Sequence, residues 1–226
     1  MTEHILQNQE KEKNEMRCAR CGEPMPETEE KTGFSFMRHG RTQMNEDNIA
    51  VGSIDEPMNE TGRRQAEAAA ERFKQAGVIF DCIVSSPMSR AIETARIIGT
   101  ALRINTETDN RLRERNVGVI QGQPETPESE NQLLKYDYKP EGAEPLEQFE
   151  EETKEFLRDI EEKYRGKRAL FVTHGFRMLT LVKLIHGWDI EKIMTYEPPK
   201  NCEEIEFEVS DSCPRCGNKF FELNPA

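Results

Sequence analysis

The chain has 226 residues, 35% hydrophobic and 33% charged, with 31 Lys and Arg against 43 Asp and Glu for a net charge of −12. That length suits one sizeable α/β domain with a small appendage, and the low apolar share argues against two full cores. The acid excess disfavours a nucleic-acid binder that works by charge, and no run approaches the 18 apolar residues of a membrane span.

Residues 1–16 read as a flexible tail without the apolar centre of a signal peptide. A reducing, cytoplasmic location is therefore expected, where disulfides are rare. Residues 33–37 are a short apolar run that reads as a buried strand running into Arg38-His39-Gly40. Asn59 is placed to cap a helix over 59–75, with Ala66, Ala69, Ala70 and Phe73 on one face and Gly77 as the stop. A strand over 78–84 follows, then a helix from Pro87 to about 102 with Ala91, Ala95 and Ile98 buried. Residues 121–144 carry no clear period, and a connection that long is more often functional than structural. A helix over 146–164 puts Leu146, Phe149, Thr153, Phe156, Leu157, Ile160 and Tyr164 on one stripe. Residues 168–173 form a strand, 176–186 a helix, and 204–209 a half-exposed strand near a sheet edge. Strand and helix alternate, which predicts a mainly parallel mixed sheet covered on both faces, a three-layer α/β/α sandwich over 33–209.

Two strands end alike. Phe36-Met37-Arg38-His39-Gly40 and Phe171-Val172-Thr173-His174-Gly175 each deliver an imidazole to the C-terminal sheet edge, where ligands bind in open α/β folds. A third end, Ser85-Ser86-Pro87, is followed by Arg90 in the first turn of a helix. Two His, two Arg and small residues suit a phosphate, because guanidinium groups match phosphate oxygens and helix N-termini add N–H donors. A neutral imidazole can attack phosphorus. A carboxylic acid must then protonate the leaving oxygen, and Glu114 lies in a suitable loop.

Five motifs in order resemble the histidine phosphatase superfamily, which includes the cofactor-dependent phosphoglycerate mutases. They are Arg38-His39-Gly40-Arg41-Thr42-Gln43-Met44-Asn45, the stretch from Asp55-Glu56-Pro57 to Gln65-Ala66, Ser85-Ser86-Pro87 to Ala95, Leu112-Arg113-Glu114, and Thr173-His174-Gly175. The resemblance covers about 34–209. It implies His39 as phosphoacceptor, Arg38, Arg90 and His174 as the phosphate pocket, and Glu114 as proton donor and later base. Asn45 would add a donor, or serve only as a turn residue. Arg41 stands where many members carry an acidic or small residue, and Gly142-Ala143-Glu144-Pro145 replaces the common Gly-Gly-Glu-Ser. Both lie near the expected mouth, where substrate choice is made.

Four of the six cysteines form two equal units, Cys18-Ala-Arg-Cys21-Gly and Cys213-Pro-Arg-Cys216-Gly. Their spacing suits one tetrahedral structural Zn²⁺ shared between the chain ends. A redox dithiol, a pair of metal-free surface loops or a metal bridging two chains are the alternatives, and the thioredoxin-like pattern a redox motif usually opens is missing. The expected organisation is a zinc ribbon split between 17–32 and 210–226, with Phe220 and Phe221 as apolar contacts for self-association or a protein partner. Cys82 and Cys202 read as buried small hydrophobes. The expected activity is metal-independent hydrolysis of a small-molecule phosphomonoester, with no cofactor for catalysis. Phosphoglycerate mutase-type transfer and a phosphate-binding scaffold without turnover are the alternatives.

Overall fold

The computed structural model of the protein describes residues 32–210 and 220–223. Six strands form one sheet in the order β3-β2-β4-β1-β5-β6. They are β1 (Thr32–Arg38), β2 (Cys82–Ser85), β3 (Thr106–Thr108), β4 (Arg168–Thr173), β5 (Glu204–Ser210) and β6 (Phe220–Leu223). The first four in spatial order run parallel, while β5 and β6 are antiparallel additions. The helices are α1 (Gln43–Glu46), α2 (Glu60–Gln75), α3 (Ser89–Leu102), α4 (Pro127–Leu133), α5 (Leu146–Lys163), α6 (Gly175–His186) and α7 (Ile190–Ile193).

The sandwich follows from alternation along the central strands. Phe34, Phe36, Ala169 and Phe171 join Phe156, Ile160, Met178 and Leu181 in a core on the α5 and α6 side. Met37, Ile83, Leu170 and Val172 join Ala66, Ala70, Phe73, Ala91 and Ile98 on the α2 and α3 side. Period 2 within each strand thus assigns neighbouring residues to opposite layers. The apolar stripes read for α2, α3 and α5 are the faces that are buried. Asn59 caps α2, its side-chain oxygen accepting from the Gly62 N–H at 2.9 Å.

Several elements depart from expectation. α3 begins at Ser89 with Met88 as N-cap, so Pro87 lies before it. Residues 121–144 contain α4, started by a Thr126–Ser129 capping box and Pro127. β3 is a three-residue edge strand and β6 a hairpin return on β5, with Ser210 opposite Phe220. Residues 220–223 therefore extend the main sheet. The 1–16 tail and Cys18, Cys21, Cys213 and Cys216 lie outside the described residues. Among the described residues, no three His, Cys, Asp or Glu side chains are grouped to hold a metal, and no helix is long and apolar enough to cross a membrane.

Candidate active site

Register brings the site together. In the parallel β1–β4 pair Arg38 lies opposite Thr173, and the His39 N–H donates to the Thr173 carbonyl at 2.9 Å. His39 and His174 therefore emerge side by side, their ring centroids 5.0 Å apart. In the β2–β4 pair Ser85 lies opposite Val172, and the Ser86 N–H donates to the Val172 carbonyl at 2.9 Å. Three strand ends are thus flush at the C-terminal edge. Gly40 is required where the chain leaves β1, because a Cβ there would lie 2.5 Å from the Gly62 carbonyl oxygen at the start of α2.

His39 is buried. Its Nδ1 lies 2.8 Å from the Gly40 carbonyl. A carbonyl only accepts, so Nδ1 carries the proton and Nε2 keeps its lone pair. Arg90 Nε faces that Nε2 at 3.1 Å. Burial, with Arg90 and Arg38 adding repulsion, holds the His39 pKa well below the usual histidine value. The ring is a neutral base at physiological pH. His174 is driven the same way by burial, Arg90 and His39. Its Nε2 contacts Ser86 Oγ at 2.8 Å, and its Nδ1 has no hydrogen-bond partner.

Arg90 is fixed as well as buried. Its guanidinium donates to the Ile54 carbonyl at 2.7 Å and the Gly52 carbonyl at 2.9 Å. Gly52 is needed there, since its φ is +51° and a Cβ would lie 2.5 Å from Gln121 Oε1. Burial lowers the Arg90 pKa to about 10, which leaves it charged at neutral pH. Arg38 reaches the Pro199 carbonyl at 3.5 Å, while its buried Nε has no partner. Unpartnered donors beside two neutral imidazoles make a socket for an anion.

Glu114 is carried in by the turn after β3, which Thr173 Oγ1 ties to β4 through the Leu112 carbonyl at 2.7 Å. One carboxyl oxygen accepts from the Arg115 N–H at 2.9 Å and the other from the Phe176 N–H at 3.0 Å. Phe176 lies in the first turn of α6, whose N-cap, His174, makes no side-chain cap bond. Glu114 supplies that cap instead. Burial raises its pKa, against the two N–H donors and the charges of Arg90 and Arg177.

The structure brings His39, Arg38, Arg90, His174 and Glu114 into one site. Asn45 combines the two readings offered for it. It closes a capping box with Thr42 at the start of α1, and it lines the cavity. Arg41 is a correction. It is absent from the cavity lining, because the loop packs against the start of α2, the Arg41 N–H donating to Gln65 Oε1 and its carbonyl accepting from the Asn59 N–H. Glu144 is likewise spent on the frame. It pairs with Arg113, and its carbonyl takes the Arg115 guanidinium. Sequence reasoning passed over Thr94, whose hydroxyl accepts from the Gly40 N–H at 2.9 Å and donates to the Arg90 carbonyl at 2.7 Å. Its position one turn after Arg90 was a signal. Asn201, which donates to the His39 carbonyl at 2.9 Å, had none.

An α/β sheet edge that joins two neutral imidazoles, a buried and a half-buried arginine and a buried carboxyl defines a phosphoryl-handling enzyme. Residues 34–218 match the model of the histidine phosphatase superfamily (branch 1). The chain is 32% identical over 177 residues to the uncharacterized phosphatase PhoE of Bacillus subtilis, covering 78% of this chain and 89% of that one. It is 33% identical over 160 residues to the probable phosphoglycerate mutase GpmB of Yersinia pestis, covering 67% and 74%. In fold it resembles Bacillus stearothermophilus YhfR, with TM-score 0.73, 24% identity, and 85% and 95% coverage. It also resembles a mycobacterial glucosyl-3-phosphoglycerate phosphatase solved with VO3, with TM-score 0.73, 20% identity, and 86% and 98% coverage. The chain belongs to the histidine phosphatase superfamily and is an enzyme of that phosphatase type.

Proposed function

We propose that the protein hydrolyses phosphomonoesters through a phosphohistidine on His39. The observation that carries this is the neutral His39 ring, its Nδ1–H held by the Gly40 carbonyl and its Nε2 lone pair kept unprotonated, accepting from Arg90 Nε at 3.1 Å. Nε2 attacks phosphorus while the ester P–O bond breaks. Glu114 gives its proton to the departing alkoxide. The resulting carboxylate takes a proton from water as that oxygen attacks phosphorus and the P–N bond breaks, releasing phosphate and neutral His39. Arg38, Arg90 and His174 carry the charge on the non-bridging oxygens, and Asn45 adds a donor. No metal or cofactor takes part in these steps.

Hydrolysis is favoured over mutase transfer by the outer cavity. The Arg115 guanidinium is committed to the Glu144 and Leu133 carbonyls, so beyond Arg38 and Arg90 the described lining offers no unengaged cation for a glycerate carboxylate. The test is phosphate release from a panel of phosphomonoesters in EDTA, wild type against His39→Ala, with phosphoglycerate interconversion followed in parallel. Release by wild type alone supports the reading. Interconversion without release means a mutase, and tight phosphate binding without either means a scaffold.

We also propose that Cys18, Cys21, Cys213 and Cys216 share one structural Zn²⁺. Support comes from the donor set, four thiolates in two Cys-x-x-Cys units, and from the register. Thr32, where β1 starts, lies opposite Val209, and β6 returns beside the end of β5. Both cysteine pairs thus adjoin one end of the sheet in sequence. Metal analysis should give one zinc per chain, lost in Cys213→Ser with a fall in Tm and unchanged turnover. A metal-free wild type overturns it.

A further inference from the structure

The site opens into a cavity of about 460 Å³ whose far walls are apolar, with Phe176, Leu179, Met194 and Tyr196 on one side and Leu133 and Leu134 on another. Besides Glu114, three carboxylates line it: Glu125, Glu130 and Glu197. Glu125 is held by its backbone N–H on the Asn48 carbonyl at 2.7 Å, and Glu130 sits in the first turns of the capped helix α4. Among the described residues, no side-chain hydrogen bond or ion pair engages Glu125, Glu130 or Glu197, whereas Glu114 and Glu144 are engaged. Glu114 holds two N–H groups and Glu144 holds Arg113.

Glu125 is half-buried and Glu130 exposed, and the two are close enough to repel. Partial desolvation in the cavity raises both pKa values, Glu130 raises that of Glu125 further, and Arg38 draws both down. Arg38 is thus their counter-charge at a distance, and it is also a phosphate ligand with a buried, unpartnered Nε. A phosphate dianion on Arg38 and His174 takes up that compensation and leaves the carboxylates sharing one cavity with an anion. A cationic group on the same substrate restores balance.

We propose that the substrate is the phosphomonoester of an alcohol that carries a cationic, ammonium-type head on an apolar stem, the head seated at Glu125 and Glu130. This rests on the hydrolase reading above. The stem would lie along the Phe176 and Tyr196 wall, where an aromatic face adds attraction for a cation.

The test uses para-substituted benzyl phosphates at pH 8, with (trimethylammonio)methyl, neopentyl or carboxymethyl substituents. The first two are near-isosteric, so charge alone separates them. The expected kcat/KM falls from cationic to neutral to anionic, by about tenfold at the first step, which is the scale of one partly screened ion pair. In Glu125→Gln/Glu130→Gln the cationic ester should lose about tenfold while the anionic ester gains. These opposite changes cannot come from damage to the fold. Should that variant not fold, the wild-type preference for the cationic ester must shrink as salt rises. Equal or better turnover of the neopentyl ester, with release still dependent on His39, overturns the proposal and leaves the hydrolase reading standing. No release from any ester removes both.

Discussion

Thr94→Val isolates the hydroxyl that joins the nucleophile loop to the arginine helix. Thr94 is fully buried, and Val keeps its shape. The change removes the acceptor of the Gly40 N–H and the donor to the Arg90 carbonyl. The Arg90 carbonyl can keep its helical bond, but the Gly40 N–H is left buried and unpaired. Such a group costs about 1–3 kcal/mol. At about 2 kcal/mol, and 2–4 °C per kcal/mol for a domain of this size, Tm should fall by about 4–8 °C. Gly40 also supplies the carbonyl that holds His39 Nδ1. Its displacement should lower kcat on 4-nitrophenyl phosphate by about 10–100-fold, with a smaller change in KM. Thr94→Ser keeps the hydroxyl and loses one methyl, about 1 kcal/mol, with kcat near wild type. Thermal unfolding and steady-state kinetics on the three proteins decide it. A Val variant as stable as the Ser variant, with the same kcat, would show that this hydroxyl does not position the loop.

The buried histidines make stability depend on pH. Both have pKa values well below 6.5 in the folded state, so below pH 6.5 the unfolded chain binds protons that the folded one refuses. Stability should be full above pH 6.5 and fall below it by about 1.4 kcal/mol per pH unit for each ring, and urea unfolding should show His39→Asn reducing that slope. Gly52→Ala should cost about 1–2 kcal/mol and raise KM, because it strains a residue at positive φ and disturbs the carbonyl that anchors Arg90; unchanged KM would detach that loop from the phosphate site. Arg177 donates to the Arg113 carbonyl at 3.1 Å and the Phe149 carbonyl at 3.2 Å, and its charge lowers the Glu114 pKa. In Arg177→Met the alkaline limb of kcat/KM should therefore move to higher pH, a shift that loss of packing alone would not produce.

Much of this was legible because the site is built from local patterns. An apolar run ending in Arg38-His39-Gly40 and another ending in Thr173-His174-Gly175 needed only a parallel register to meet. Period 2 and period 3.6 identified the strands and helices that bury both faces of the sheet. What escaped was shorter or non-local. β3 has three residues, and its placement depends on β2 as neighbour. α4 buries only Leu133, too little for a helical period, although Thr126 and Pro127 carried its start signal. Arg41 was misjudged because adjacency to His39 says nothing about which way a loop turns, and Gly62 and Gln65 hold it against the start of α2. Asn201 reaches His39 across more than 160 residues, through the register of β5 against β1.

The charge arrangement has a consequence for the order of events in the proposed reaction. With no phosphate bound, burial, with Arg90 and Arg38 adding repulsion, keeps both imidazoles neutral, so the nucleophile exists before substrate arrives. The same positive charges work against Glu114 as an acid, because Arg90 and Arg177 favour its carboxylate. A bound phosphate dianion screens Arg90 and repels a carboxylate, so it raises the Glu114 pKa at the moment a proton donor is needed. Once the phosphoryl group is on His39 and the alcohol has left, the carboxylate formed on Glu114 still has the Arg115 and Phe176 N–H groups to accept from. It is then held in place as the base for water. Burial that would be costly for a permanent carboxylate is therefore suited to one that alternates, and burial together with the arginines that bind phosphate sets the protonation state of both reacting groups.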